Sequence, residues 1–175
     1  ENEKVEIVET TEFKWKVVIP EGFDAISNET WDKIEEIGVD AIEKVHGENI
    51  EGRPITNFVY KQGPFQTFES NIHPFNLSQS EDYFQSCLEV NDMVYSTFDE
   101  TISHTKIDSL FSKVKIDGLD FYRFEINIEL PDGQELNTVS YNRLFGQTDL
   151  TINILYMDDN VGKELIQNIN NSKFY

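Results

Sequence analysis

The chain of 175 residues has the length of one globular domain, and its composition is that of a folded protein. Apolar residues make up 38% of it and aromatic residues 13%, so thirteen Phe and seven Tyr supply much of the core. Fourteen Lys and Arg stand against thirty-three Asp and Glu, which gives a formal net charge of −19. Such a surface repels phosphate backbones and anionic lipid headgroups, which argues against nucleic-acid binding. It favours a solvated acidic surface, or a site for cations or a basic partner.

The first part of the chain predicts a strand, a short second pass and a helix. Apolar and polar residues alternate at the start of residues 13–19, and Pro20-Glu21-Gly22 ends that strand because Pro and Gly continue a paired strand poorly. Residues 23–26 are predicted as the second pass. Ser27 and Asn28 are both good N-caps for the helix that follows.

The apolar residues of this helix recur on one face as far as Gly47, where the helix ends. Trp31 lies on that face, so we expect its indole to be buried against the sheet and a Trp31→Ala substitution to cost about 3–5 kcal/mol. Gly38 has the same spacing, although glycine weakens a helix by about 1 kcal/mol relative to Ala. A close approach between helix and sheet would explain a glycine at this position.

Two strands and a second helix are predicted in the middle of the chain. Residues 55–60 and 65–75 are strands that turn near Gly63-Pro64, and residues 78–81 match a capping box that would begin the helix. Cys87 is the single cysteine, which excludes an intrachain disulfide. Because it falls within the apolar pattern of the second helix, we interpret it as a small buried hydrophobic residue rather than as a nucleophile.

From Lys113 onward the sequence predicts a meander of three or more antiparallel strands. Asp117-Gly118 is a tight-turn signal. Residues 122–130 then alternate strictly between apolar and polar, which indicates a strand with one buried face and one solvated face. Two further strands and a last helix follow, at residues 135–145, at residues 150–156 and from residues 158–160 onward.

The order of elements is that of an α+β protein, a single domain in which helices flank an antiparallel β-sheet. The segment Val18-Ile19-Pro20-Glu21-Gly22-Phe23 resembles the opening hairpin of PsbP-like domains. The Lys115-Ile116-Asp117-Gly118 turn, the meander and the final helix running into Ser172-Lys173-Phe174 resemble their second half. The resemblance therefore implies one PsbP-like domain, an α/β/α sandwich, over residues 13–175, preceded by an N-terminal tether or extension over residues 1–12.

The resemblance implies a fold and a compartment rather than an activity. The PsbP-like family includes an extrinsic subunit of the photosynthetic oxygen-evolving complex, a nuclear-import factor and many small bacterial exported or lipid-anchored proteins. Its better-known members bind other proteins and are not enzymes. The chain starts at Glu1 rather than Met, so we expect an extracytoplasmic (periplasmic or cell-envelope) protein with a removed leader or a lipidated cysteine upstream. The segment itself has no apolar run that would insert into a membrane.

The sequence carries no motif for catalysis, metal binding or phosphate binding. His46, His73 and His104 are far apart, with none of the spacings of a two-His zinc motif. Residues 131–133 and 158–160 are rich in oxygen ligands but lack the ligand order of a calcium loop. We therefore predict a metal-free, cofactor-free monomer with no catalytic residues.

Three functions remain open at this point. The leading hypothesis is a non-catalytic extracytoplasmic interaction or accessory domain with an unknown protein partner. The second is a module that binds a small molecule or a cation between sheet and helices, which an apolar pocket with two or three convergent polar groups would favour. The third is a hydrolase with a dispersed site, which a Ser or Cys within hydrogen-bond reach of a His would favour.

One segment is the candidate partner-binding surface. Residues 63–75 hold three Phe, one His and two Pro. We assign Phe65, Phe68 and His73 to partner binding, on the hypothesis that the two Phe form an exposed apolar patch at a hairpin tip. The alternative is that they are ordinary strand residues, with Phe68 packed beneath a helix. Burial of both Phe would refute the hypothesis.

Overall fold

The computed structural model describes residues 3–47, 54–76 and 82–175. Within these ranges the chain forms ten strands and three helices. In chain order they are β1 (Lys4–Glu9), β2 (Lys14–Ile19), β3 (Asp24–Ala25), α1 (Asn28–His46), β4 (Ile55–Gln62), β5 (Gln66–Pro74), α2 (Tyr83–Thr101), β6 (Lys106–Ile116), β7 (Leu119–Glu129), β8 (Glu135–Phe145), β9 (Thr148–Tyr156), α3 (Asp159–Asn171) and β10 (Lys173–Phe174).

Seven of the described strands form a large antiparallel sheet in the order β3-β4-β5-β9-β8-β7-β6, and three form a small one in the order β1-β2-β10. The strands β6 to β9 are one meander, each paired with the next. At the predicted turn, Asp117 and Gly118 both have positive φ, 51° and 81°, which is the backbone that a tight turn between twisted strands needs. The predicted α+β class, an antiparallel sheet flanked by helices, is confirmed.

The main core lies between the large sheet and a second layer that consists of α3 and the small sheet. Trp15 of β2 is completely buried at its centre, stacked on Phe58 and Phe174. Its indole N–H donates to Ser172 Oγ at 2.8 Å, so the one polar atom of the ring is satisfied. Leu165 brings α3 into the same core. This layer therefore packs closely against one face of the large sheet.

The helices α1 and α2 cover the opposite face of the large sheet. Leu150 and Ile152 of β9 belong to the main core, so the alternate residues Thr151 and Asn153 point towards the two helices. However, α1 contains no buried residue, and α2 buries only Cys87 and Thr97. The sheet face beneath these helices is therefore covered but not filled.

The helix ends follow the sequence signals. Ser27 Oγ accepts a hydrogen bond from the Thr30 amide at 3.3 Å, and an Asp158 carboxylate oxygen accepts one from the Asn160 amide at 2.8 Å. Ser27, one of the two predicted candidates, is therefore the N-cap of α1, and Asp158 is the N-cap of α3. The N-cap of α2 is Asp82. The capping box predicted at residues 78–81 lies outside the described residues.

Three expectations are wrong. Trp31 is half-buried at the edge of a cavity rather than packed against the sheet, so its removal should cost less than 3–5 kcal/mol. A Cβ on Gly38 would meet nothing within 4 Å, so no close approach explains that glycine. Lys4–Glu9 lies in the predicted N-terminal tether or extension, yet it forms β1 and pairs with β2 along its whole length, as part of the folded domain. It does so because Val8 packs into the main core.

Candidate functional site

A cavity of about 800 Å³ lies between α1, α2 and the large sheet. Ile34 of α1 and Val90 of α2 line it and are 39% and 62% exposed, so the cavity opens to solvent between the two helices. Gly38 lines the same side of the cavity and leaves space where a side chain would stand. This volume falls in the range of small-molecule sites, about 300–1,000 Å³.

The helical wall of the cavity is mainly apolar, although Glu35, Ser86 and Asn91 also line it. The indole N–H of Trp31 donates to Glu35 Oε1 at 3.0 Å, so the rest of the ring presents apolar surface to the cavity. The other large apolar side chains on this wall are Ile34, Val90, Val94 and Phe98.

The sheet wall of the cavity carries polar rows beside apolar residues such as Phe124 and Ile126. Ser140, Asn153 and Glu69 lie directly opposite one another across β8, β9 and β5, and they form one row. In the next row Asn142 and Thr151 line the cavity. Hydrogen bonds join the two rows and run along them, from Ser140 Oγ to Asn142 Oδ1 at 3.0 Å and from Asn142 Nδ2 to Thr151 Oγ1 at 2.9 Å. Sheet residues beneath a helix are usually apolar because they pack into a core. Core packing therefore does not account for these polar rows.

Glu69 is the charged group of these rows. Its Oε1 accepts hydrogen bonds from Asn153 Nδ2 at 2.6 Å and from Asn71 Nδ2 at 3.4 Å. Its Oε2 is buried and has no hydrogen-bond partner in the part of the chain that the structure describes. Burial raises the pKa of Glu69 to about 7, the Asn153 and Asn71 hydrogen bonds oppose that rise, and the carboxylate of Glu35 adds to it. Glu69 therefore titrates near neutrality inside the cavity.

A second carboxylate, Asp149 of β9, lies farther along the cavity. The Tyr83 hydroxyl donates to Asp149 Oδ1 at 2.5 Å, and His73 stands opposite Asp149 in register. Burial raises the pKa of Asp149, whereas the Tyr83 hydrogen bond and the charge of His73 lower it. Four positions of β5 separate Glu69 from His73, which is about 13 Å along an extended strand.

Cys87 lines the cavity but is not an activated thiol. Burial raises its pKa to about 12, with a further rise from the carboxylate of Asp149 and an opposing hydrogen bond from Tyr83. At neutral pH the sulfur is therefore protonated, and a protonated thiol is a poor nucleophile. Cys87 is buried, as the sequence predicts.

The three histidines have neighbours other than a Ser or Cys side chain among the described residues. His46 and His104 each have a ring nitrogen on a backbone carbonyl oxygen, at 3.3 Å and 2.7 Å, and His104 also lies 3.1 Å from Asp99. His73 faces Asp149. Across residues 3–47, 54–76 and 82–175, no group of three or more His, Cys, Asp and Glu side chains is placed to hold a metal ion.

The predicted partner-binding residues Phe65, Phe68 and His73 do not form one surface. Phe65 is 50% exposed in the turn between β4 and β5. Phe68 is completely buried, edge-on to Phe58 in the main core, because strand alternation directs its side chain away from solvent. Its assignment to partner binding is therefore corrected. His73 lies between the large cavity and a smaller cleft of about 250 Å³.

Sequence reasoning missed the polar rows of the sheet wall. Along β5 and β9 the polar residues alternate with apolar ones, which is also the pattern of a strand with one solvated face. One signal could have revealed them. The sequence holds three amphipathic helices, and helices that flank both faces of a sheet must cover its polar face as well.

Among the described residues, no helix is both long enough and apolar enough to span a membrane.

The chain matches no protein-family model and no curated protein sequence. Its fold occurs in solved structures. The cyanobacterial PsbP (CyanoP) from Synechocystis sp. PCC 6803 has a TM-score of 0.54 and 10% identity, with 100% of this chain and 95% of that chain covered. LpqN, involved in cell envelope biogenesis of Mycobacterium tuberculosis, has a TM-score of 0.49 and 6% identity, with 99% and 92% covered. The Saccharomyces cerevisiae Ran-binding protein Mog1p has a TM-score of 0.49 and 13% identity, with 99% and 96% covered. The chain has the PsbP-like fold, as its sequence resemblance predicts.

Proposed function

We propose that this chain of PsbP-like fold is a non-catalytic binding domain that holds a small molecule between its helices and its large sheet. The observation that carries the proposal is the cavity of about 800 Å³, which is mainly apolar on its helical wall and carries polar rows on its sheet wall. Apolar walls provide affinity by removing ligand surface from water, and a few fixed polar groups set the orientation of the ligand. This is the pocket that the sequence-based alternative of a small-molecule module requires.

The loose packing of the helix layer supports the proposal. Because α1 buries no side chain and α2 buries only Cys87 and Thr97, apolar groups such as Trp31, Val94 and Phe98 face the cavity instead of a packed sheet. A ligand in the cavity would cover them, and each Å² of apolar surface removed from water contributes about 25 cal/mol. Binding would also stabilise the native chain relative to the unfolded one.

The chemistry of the cavity supports binding without a reaction. The thiol of Cys87 is protonated at neutral pH, and the hydroxyl of Tyr83 is committed to Asp149. Nucleophilic catalysis needs an activated group beside a base, and these neighbours do not supply one.

A fluorescent probe tests whether the cavity takes a ligand. N-phenyl-1-naphthylamine, an apolar and uncharged fluorophore, should bind the wild-type protein and brighten. Gly38→Phe should weaken that binding by about tenfold or more, since its ring would occupy apolar space in the cavity. Asp40→Phe puts the same ring on an exposed position of α1 that does not line the cavity, and it should bind the probe as the wild type does. Equal affinities for both variants would overturn the proposal.

A second candidate function is contact with a partner protein through Phe65. The exposure of this side chain in the β4–β5 turn favours it, because a large exposed apolar residue gains most from being covered. Affinity purification from cells of the source organism, with wild-type protein and Phe65→Ala as baits, tests it. Loss of a specific co-purifying protein from the variant is expected, and identical sets of bound proteins would refute this contact.

We further propose that the domain works outside the cytoplasm, behind a leader or a lipid anchor. The support is the resemblance of the sequence to bacterial exported members of the PsbP-like family. Fractionation of cells that produce the protein with a C-terminal epitope tag tests the location. Recovery in the periplasmic or envelope fraction is expected, and recovery in the cytosol would contradict it.

A further inference from the structure

Three carboxylates from the described part of the chain line the cavity, and the two on the sheet wall, Glu69 and Asp149, differ in their neighbours. Asp149 accepts a hydrogen bond from Tyr83, and its electrostatic interaction with His73 lowers its pKa. Glu69 accepts two amide hydrogen bonds on Oε1, and the carboxylate of Glu35 raises its pKa. Within the described residues, no cationic side chain contributes to the pKa of Glu69.

A second observation concerns the free oxygen of this carboxylate. Glu69 lines the cavity, and its Oε2 is a buried acceptor with no hydrogen-bond partner in the described part of the chain. A buried acceptor without a donor is costly, so Glu69 Oε2 favours a ligand that brings hydrogen-bond donors and no acceptor.

We propose that the cavity binds an organic ammonium ion, a molecule with an apolar body and a protonated amine, and that the amine pairs with Glu69. The proposal rests on the proposed function and adds the charge and chemical class of the ligand. An ammonium group carries three donors, no acceptor and one positive charge. It therefore matches the unpartnered Oε2 of Glu69 in both hydrogen bonding and charge.

The helical wall suits the rest of such a molecule. Glu35 Oε1 holds the indole of Trp31, and Glu35 acts on Glu69, so the aromatic ring lies at the Glu69 end of the cavity. An ammonium ion near an aromatic face gains a cation–π contact. Val94 and Phe98 continue the wall as apolar surface for an alkyl or aryl body. The net charge of −19 attracts cations to the protein as a whole.

The proposal predicts a pH dependence of binding. Burial raises the pKa of Glu69 to about 7, so protons and the ammonium ion compete for its carboxylate near neutrality. The titratable groups around it are Glu35 on α1 and, farther along the sheet wall, Asp149 and His73. Lys61 of β4 lies opposite Thr67, two positions from Glu69 along β5, and does not contribute to its pKa. Ammonium binding should therefore strengthen as pH rises from about 5.5 to about 8.

Three probes with the same eight-carbon chain test the charge of the ligand. Octylamine, octan-1-ol and octanoate are titrated against bound N-phenyl-1-naphthylamine at about pH 8, where octylamine is a cation. Octylamine should displace the fluorophore at a concentration about tenfold or more below that of octan-1-ol, because a charge-assisted hydrogen bond contributes more than a neutral one. Octanoate should be the weakest of the three.

Two carboxylate variants locate the charge. Glu69→Gln should remove the preference for octylamine over octan-1-ol and its pH dependence, while still binding the fluorophore. Asp149→Asn changes the other carboxylate of the sheet wall, which already accepts a hydrogen bond from Tyr83, and should keep the preference. Equal displacement by all three probes, or stronger octylamine binding at about pH 5.5 than at about pH 8, would refute the ammonium proposal and leave the binding function standing. Failure of the fluorophore itself to bind would refute the proposed function.

Discussion

Glu69→Gln should raise the free energy of unfolding above neutral pH, because it removes a carboxylate that the native state holds away from water. Burial raises the pKa of Glu69 from 4.5 to about 7. Each unit of difference between the pKa of Glu69 in the folded chain and in the unfolded chain corresponds to about 1.4 kcal/mol. The ionised carboxylate therefore destabilises the native state by about 3 kcal/mol. The neutral amide of Gln avoids that penalty and can still accept the Asn153 hydrogen bond.

The sign of the pH dependence follows from proton binding. Well below pH 4.5 the carboxyl is protonated in both the folded and the unfolded chain, so Glu69 makes no pH-dependent contribution. Between pH 4.5 and about 7 the native state holds a proton that the unfolded chain releases, so wild-type stability falls as pH rises. Above about pH 7 the carboxyl is ionised in both the folded and the unfolded chain, so the loss of wild-type stability is complete. The advantage of Glu69→Gln should thus grow by about 3 kcal/mol between about pH 3.5 and about pH 8.5.

Urea unfolding at these two pH values measures the difference. The matched control is Glu164→Gln, which makes the same charge change on an exposed position of α3. The other carboxylates titrate in the wild type and in both variants. Subtracting the wild-type free energy of unfolding at each pH therefore isolates the effect of the substituted side chain. A change with pH that is equal for the two variants would refute the placement of Glu69 in a poorly hydrated cavity.

Three further predictions concern single residues. Gly38→Ala should raise the free energy of unfolding by about 0.5–1 kcal/mol in urea, because the new methyl meets no atom and alanine favours the helix; a loss of stability would contradict the open space at this position. In the same assay Phe68→Ala should lower stability by about 3–5 kcal/mol and Phe65→Ala by less than about 0.5 kcal/mol, and comparable losses would contradict their assignment to core and surface. At about pH 8, Cys87 should react with iodoacetamide far more slowly in the native protein than in urea, and equal rates would contradict a buried, protonated thiol.

The sequence predicts those strands best that have one fully buried face. In β7, Phe124, Ile126 and Ile128 are buried, so their alternation with polar residues is complete and the meander is recognised. The edge strand β6 is mostly exposed, and its alternation is too weak to place its start at Lys106. The strand β1 directs Ile7 to solvent, so its apolar residues do not indicate which face is buried.

The candidate site depends on contacts that no local pattern contains. Glu69 and Asn153 look like residues of a solvated strand face, and only the long-range placement of α1 and α2 over that face encloses them. Phe65 and Phe68 are three positions apart, yet one lies in an exposed turn and the other in the core. Which of them is buried depends on where β5 begins, and sequence patterns locate strand ends poorly.

The most direct test of the central claim is to map where a ligand binds. Amide chemical shifts of ¹⁵N-labelled protein, followed during titration with octylamine at about pH 8, report the position of the bound molecule. We expect the largest changes at Glu69, Asn153 and Val94, which line the cavity, and little change at Val17 and Leu165, which belong to the main core on the opposite face of the sheet. Changes spread over the exposed acidic surface, or centred on the α3 side of the sheet, would contradict a binding site between the helices and the sheet.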